Sequence, residues 1–215
     1  MSVCTSAQSM GQFTTNSNPL SKATFAFLTV LFKFAYRDMR NKNENAMRKH
    51  NGMRPQDVVI LLKIAAKGKA DWYMKDLAYE LGVSQSEVSE SLHRSALAGL
   101  LATDKRTLIK GALLEFLQHG LRYVYPQKPG AITRGMTTAH SAPPLLDKVS
   151  SQEVYVWPWA KGQQRGQCIE PLHPSVPDAC QKDTKLHELL ALADAMRVGK
   201  AREQKLAAEA LRERL

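Results

Sequence analysis

Residues 76–92 read DLAYELGVSQSEVSESL, and residues 98–101 read AGLL. Leu77 and Leu81 lie four residues apart, so they share one face of a short predicted helix. Gly82 follows directly, and glycine supplies the positive φ that a chain needs just past the end of a helix. The first half of this stretch therefore predicts a helix that ends next to Gly82.

A second helix is predicted to begin directly after Ser84. The serine side chain can cap the helix, and Glu87, three residues on, completes a capping box. Val88 and Leu92 turn the apolar side of this helix back toward the first. Two helices arranged in this way form the helix-turn-helix pattern, in which the second helix offers its outer face to the major groove of DNA.

The pattern Leu-Ala-x-x-Leu-Gly-Val-Ser-x-x-x-Val-Ser-x-x-Leu, followed by Ala-Gly-Leu-Leu, resembles the winged helix-turn-helix regulators of the MarR-like kind. The resemblance covers residues 54–125, about a third of the chain. It implies an α+β, mainly α fold with a β-hairpin wing, and double-stranded DNA as the partner. An ordinary pair of packed helices would explain the leucines, but not the Gly-Val-Ser turn or the serine-rich outer face.

The outer face of the second helix carries side chains that can read bases. Amides pair with adenine, carboxylates with the cytosine amino group, and hydroxyls with several bases. Basic residues at the end of the helix and beyond it are candidates for phosphate contacts. The predicted DNA-binding residues are Ser84, Gln85, Ser86, Ser89, Glu90, His93, Arg94, Lys105 and Arg106.

The net charge of +10 favours an anionic partner, above all nucleic acid. Residues 1–53 hold seven Lys/Arg against two acids, and residues 106–171 hold eight against four. Residues 54–105 are balanced, with seven of each. A surface that neutralises phosphate is therefore expected from the segments that flank the motif.

Residues 1–52 are interpreted as an N-terminal extension that begins with a polar, disordered stretch. The apolar run at residues 23–32 is too short to span a bilayer and lacks the flanks of a signal peptide. It is either an amphipathic helix that packs on the domain or on a second protomer, or part of a stretch upstream of the natural start. The candidate starts are Met39, Met47 and Met53.

Residues 53–125 are assigned to the winged domain. Its first helix is expected to open at Pro55 and end at Gly68. A helix that reaches Gly120 and a strand at residues 121–125 are expected after the motif, so that the wing is either rudimentary or interrupted by a helix.

Residues 126–182 are rich in Pro and Gly and predict a small, irregular β-containing segment. Strands are expected at 153–157 and 167–170, with a turn at 161–166 whose basic residues, Lys161 and Arg165, are interpreted as solvated.

Residues 183–215 predict a C-terminal helical appendage, either one helix or a hairpin hinged at Gly199. Its apolar stripe, Leu186–Met196, is expected to be exposed in a monomer, as is the apolar run Phe25–Phe32 near the N-terminus. A second protomer would cover them, which predicts a homodimer.

Catalytic motifs are not found: the sequence has no Gly-rich phosphate loop, no His-Glu-x-x-His and no Cys-x-x-Cys. We expect a protein that is not an enzyme, needs no cofactor and does not bind membranes. The spacing of Cys168, His173, Cys180 and His187 matches no zinc finger, so no metal site is expected. Three cysteines do not make a disulfide framework, which favours the cytoplasm.

Three functions remain open. The leading interpretation is a dimeric, sequence-specific DNA-binding transcriptional regulator. The second is a winged-helix protein-interaction adaptor or an antitoxin-like autoregulator, because Glu87 and Glu90 would repel phosphate. The third is a metal- or redox-responsive regulator that uses Cys168 and Cys180.

Overall fold

A computed structural model describes residues 52–68 and 70–215, and within them the fold is α+β and mainly helical. The expectations for the N-terminal extension, its apolar run and the upstream starts fall on residues 1–51, outside the described part of the chain. The segments assigned to the winged domain, the β-containing segment and the C-terminal helices contribute to one apolar core.

The chain begins with three helices: α1 (Pro55–Lys67), α2 (Met74–Leu81) and α3 (Gln85–Leu97). The predicted end of α1 is confirmed, because Gly68 follows it with φ +63°. The predicted turn is confirmed as well, since Gly82 ends α2 in the left-handed conformation with φ +65°. Residues 82–84 alone join α2 to α3. α3 packs against both α1 and α2.

A very short hairpin follows α3. Leu101 and Leu108 form a single antiparallel bridge, and the Ala102 N–H donates to the Thr107 carbonyl at 2.9 Å. In the turn, Asp104 Oδ1 accepts the backbone N–H groups of Arg106 and Thr107. Of the two alternatives expected after the motif, the structure has a short hairpin that no helix interrupts.

The segment after the hairpin is helical throughout: α4 (Lys110–Glu115), a π-helical turn (Phe116–Gly120) and α5 (Leu121–Val124). The strand predicted at residues 121–125 is wrong. Leu113, Leu117 and Leu121 repeat every four residues and are buried, so burial of one helical stripe outweighs the strand propensity of the exposed Tyr123 and Val124.

Three strands form a small sheet: β1 (Ile132–Thr137), β2 (Tyr155–Pro158) and β3 (Gln164–Cys168). β1 is antiparallel to the other two strands, which also pair with each other in parallel and so close the sheet. Gly135 pairs with both β2 and β3, and a Cβ there would overlap the carbonyl oxygen of Trp157. Strands near β2 and β3 were predicted, but with different first and last residues, so that part of the turn expected at 161–166 is strand. β1 was not predicted.

The chain ends with α6 (Val176–Lys182), α7 (Thr184–Val198) and α8 (Ala201–Arg214). Of the two alternatives for residues 183–215, the structure has two helices with Gly199 between them. α7 is the central helix rather than part of an appendage. Leu186–Met196 is buried on nearly every side, where α7 packs against α1, α6, α8 and the 3₁₀ turn Ala139–Ser141. Leu186–Met196, one of the two apolar segments on which the dimer prediction rested, is therefore not an exposed stripe. The other, at residues 25–32, lies outside the described residues.

Within residues 52–68 and 70–215, none of the helices has both the length and the apolar character needed to cross a membrane.

Candidate nucleic-acid interface

The start of α3 is fixed by a complete capping box. Ser84 Oγ accepts the backbone N–H of Glu87 at 3.2 Å, and Glu87 Oε2 accepts the backbone N–H of Ser84 at 2.9 Å. The Ser84 hydroxyl also donates to Glu87 Oε2 at 2.8 Å. These hydrogen bonds hold the pKa of Glu87 below its usual range. Because the bonds run in both directions, Ser84 and Glu87 together fix the turn before α3, as predicted.

The outer face of α3 is polar and exposed, as predicted. Val88 and Leu92 are buried against the rest of the domain, whereas five predicted residues face solvent. The side chains of three of these, Gln85, Ser89 and His93, make no hydrogen bond or ion pair with the described residues, so their polar atoms are available to a partner molecule. The exposed residues are Gln85, Ser86, Ser89, Glu90 and His93.

Arg94 does not belong to this face, which corrects its assignment as a DNA-binding residue. It is 7% exposed, and Asp57 of α1, which is fully buried, accepts both Arg94 Nε at 2.8 Å and Nη2 at 2.7 Å. Asp57 also accepts the backbone N–H of Arg54 at 2.8 Å. The hydrogen bonds to Asp57 raise the pKa of Arg94, which stays charged and anchors α3 to α1. The sequence showed Asp57 in the first turn of α1, but nothing near it in the sequence indicated that its partner is Arg94, 37 residues away.

Lys105 and Arg106 occupy the tip of the short hairpin and are exposed. Arg106 Nη2 donates to the Trp72 carbonyl at 2.9 Å, and the guanidinium lies 5.4 Å from the centre of the Trp72 ring. These contacts dock the hairpin on the segment that precedes α2. The Thr107 and Arg106 groups that bond to Asp104 lower its pKa to about 2.

A groove of about 350 Å³ lies between the start of α2, α3 and the hairpin tip. Tyr73 and Met74 border it on one side, Ser89 on the second and Lys105 on the third. Tyr73 was not among the predicted DNA-binding residues, although an exposed aromatic residue beside Lys75 is a signal for a binding surface. The exposed face of α3 and the hairpin tip therefore border the same groove.

Internal ion pairs account for much of the charge balance in this region. Glu80 bonds to Lys63 and Lys67 at 2.6 Å, and Asp57 is paired with Arg94. These pairs leave Lys75, Lys105 and Arg106 as exposed cations near the groove. The exposed carboxylates there are Asp104, which lines the groove, and Glu87 and Glu90 of α3. The interface is thus close to neutral.

The four residues weighed as a metal site do not form one cluster in the described part of the chain. His173 Nδ1 is hydrogen-bonded to Ser175 Oγ at 2.8 Å, and His187 Nε2 to the Thr137 carbonyl at 2.9 Å. Cys180 is buried, which raises the pKa of its thiol, and burial also raises the pKa of Cys168. Among residues 52–68 and 70–215, no three His, Cys, Asp or Glu side chains are arranged to hold a metal ion.

Comparisons with protein-family models, with curated proteins and with solved structures find no match to this chain. The likeness to MarR-like regulators therefore depends on the motif residues. The candidate interface is defined by the positions of α2, α3 and the hairpin.

Proposed function

We propose that this protein is a sequence-specific, double-stranded DNA-binding transcriptional regulator of the winged helix-turn-helix type, with α3 as its recognition helix. One observation carries the proposal. α3 is fixed at its start by a capping box and in its last turn by Arg94, yet its outer face exposes Gln85, Ser89 and His93 without internal partners. Rigid placement of unpaired polar groups is what base recognition requires.

In this arrangement the first turn of α3 enters the major groove. Gln85 presents an amide that can bond to adenine N6 and N7, and Ser86 and Ser89 present hydroxyls that can bond to several bases. Glu90 accepts from the amino group of cytosine. The hairpin acts as the wing, with Lys105 and the remaining N–H groups of Arg106 directed to phosphates.

The small number of exposed cations limits the electrostatic part of binding. Contacts from Lys75, Lys105 and Arg106 would neutralise about two or three phosphates per protomer, which gives a slope of log K against log salt of roughly −2 to −3. Additional phosphate contacts are expected from residues 1–53, whose sequence carries seven basic residues against two acids.

The protein is proposed to act as a homodimer in the cytoplasm, on an operator with two related half-sites. Cys168 and Cys180 are free, which supports a reducing compartment. Because α7 is internal, the dimer interface has to be formed by other surfaces.

Selection of sites from a random double-stranded DNA pool tests the proposal. The enriched site and a shuffled version are then titrated with the full chain across a series of salt concentrations. We expect the enriched site to bind at least about 10³-fold more tightly than the shuffled one. Failure to enrich any sequence, at any salt, contradicts the proposal.

A protein-interaction adaptor is the second candidate, and it is favoured by one feature of α2. Tyr79 is 85% exposed on the outer side of this helix, close to a nearly neutral surface. Exposed aromatic residues are enriched at protein interfaces. Absence of DNA binding would make this candidate the leading one.

A further inference from the structure

Two arginines lie directly opposite each other on the small sheet. The register pairs Arg134 of β1 with Arg165 of β3. Residues that are opposite in an antiparallel ladder project to the same face of the sheet, with Cβ atoms about 5 Å apart. Both side chains are exposed, so two guanidinium groups start from neighbouring points on one surface.

This arginine pair has no counter-charge within the part of the chain that the structure describes. Neither guanidinium makes an ion pair or a hydrogen bond there. The same face of β1 and β3 also carries Ile132 and Gln167, and none of its residues is a carboxylate. Like charges directly opposite each other destabilise a sheet. An anionic partner would remove this repulsion.

The nearby Lys161 differs from the arginine pair, because its charge is offset within the chain. Lys161 Nζ lies 3.4 Å from Asp178 Oδ1 of α6 and 5.7 Å from the centre of the Trp159 ring. The same carboxylate oxygen accepts Trp159 Nε1 at 3.1 Å. The uncompensated positive charge at this end of the sheet is therefore that of Arg134 and Arg165.

A short series of contacts connects the arginine pair to the helix-turn-helix unit. α6 packs against α2, and Ser175, directly before α6, lies beside the turn that precedes α3: a Cβ on Gly82 would be 3.8 Å from Ser175 Cβ. Asp178, in the first turn of α6, bonds to Trp159, whose backbone N–H donates to the Arg134 carbonyl at 3.2 Å. The arginine pair is thus attached, through α6, to the base of the proposed reading helix.

We propose that Arg134 and Arg165 bind backbone phosphates of the duplex that flanks the bases read by α3, an inference that rests on the proposed function. A guanidinium suits this role, because it remains charged and can bond to two phosphate oxygens at once. The charge distribution supports it, since residues 106–171 carry eight basic residues against four acids, whereas residues 54–105 are balanced. The connection to the turn before α3 favours DNA over an acidic protein as the partner.

The length of the duplex tests the proposal. The full chain is titrated, across a series of salt concentrations, with the enriched and the shuffled site, each as a duplex that ends at the site and as one extended by about ten base pairs on either side. We expect the extension to raise affinity about tenfold and to steepen the slope of log K against log salt by about 2 per protomer. The double variant Arg134→Gln/Arg165→Gln should lose both gains, on either sequence, and keep the preference for the enriched site.

Two controls separate this contact from general charge and from folding. Lys161→Gln removes as much charge as either single arginine change and should keep the full effect of the extension. Arg134→Lys/Arg165→Lys keeps the charge and should keep the salt slope. The double glutamine variant should melt no lower than wild type, because it relieves a repulsion. If it does not fold, Arg165→Gln alone should lose about half of the gain in slope, and an unchanged slope overturns the proposal.

The outcomes distinguish this proposal from base reading by α3. An unchanged effect of the extension in the folded double glutamine variant overturns it, even if the enriched site is preferred. A lost effect on both duplexes, without any preference between them, supports the arginine contact and contradicts base reading. Absence of binding to every duplex at every salt concentration contradicts both.

Discussion

Arg94 and Asp57 form a buried, two-bonded ion pair that joins α3, the proposed recognition helix, to α1. The arginine lies on the proposed DNA-binding helix but faces the core. The pair therefore connects the stability of the domain to the placement of the reading face, and a change in it should affect both.

Asp57→Ala should lower the free energy of unfolding by about 3–5 kcal/mol, because it removes the buried counter-charge of the Arg94 guanidinium and leaves it only the exposed carboxylate of Glu90. Glu90→Gln is the control, since Glu90 is an exposed partner 3.5 Å from Arg94 and should contribute less than about 0.5 kcal/mol. Urea unfolding of both variants measures the difference. Similar losses in the two would show that the buried pair has no special role.

Ser84→Ala should destabilise the domain by about 1 kcal/mol near neutral pH, because it removes the cap of α3. The folded pKa of Glu87 is lowered by its bonds to Ser84, so its contribution is complete above the usual pKa near 4.5 and is lost as the pH falls through the lowered value. The difference between Ser84→Ala and wild type should therefore shrink at pH 3. Ser89→Ala should match wild-type stability at both pH values, and a loss in it equal to that of Ser84→Ala would argue against capping.

Leu190→Ala should lower the free energy of unfolding by about 2–5 kcal/mol and leave the association state unchanged, because Leu190 is buried within the chain. Denaturant unfolding combined with sedimentation equilibrium checks both parts. A variant of normal stability that dissociates a dimer would place α7 at the subunit interface and contradict the structure.

Lys105→Gln should weaken binding to all DNA sequences by a similar factor and reduce the salt slope by about 1, as expected for a phosphate contact. Lys161→Gln is the matched control. Lys161 lies in the loop between β2 and β3 and is interpreted as solvated; its Nζ is 3.4 Å from Asp178 Oδ1 of α6. Salt titrations on the enriched and shuffled sites distinguish the two. Loss of affinity for the enriched site alone would assign Lys105 a role in base reading.

The α2–turn–α3 unit could be predicted because its signals are local. Gly82 needs no distant partner to adopt a positive φ, and Ser84 and Glu87 cap a helix within four residues. Burial of Val88 and exposure of Gln85 follow from helical spacing once the start of α3 is known.

The features that were missed depend on contacts between distant parts of the chain. β1 contains Gly135, a weak strand former, and is stabilised by pairing with residues 156–158 and 164–167. Arg94 was assigned to the DNA face because spacing alone does not reveal Asp57. The stripe in α7 was expected to be exposed because a helix buried all round cannot be told from an amphipathic one until its neighbours are known.

DNA binding by Gln85→Ala, measured on the enriched and shuffled sites, tests the central claim most directly. We predict a loss of about 1–3 kcal/mol on the enriched site and almost none on the shuffled one, with Ser89→Ala behaving in the same way. Val88→Asp should unfold the domain, because it buries a carboxylate without a partner. Its DNA binding shows what loss of the fold does, for comparison with the loss of a single base contact. If Gln85, Ser89 and Glu90 can each be replaced without effect on the enriched site, α3 does not read DNA and the account is wrong.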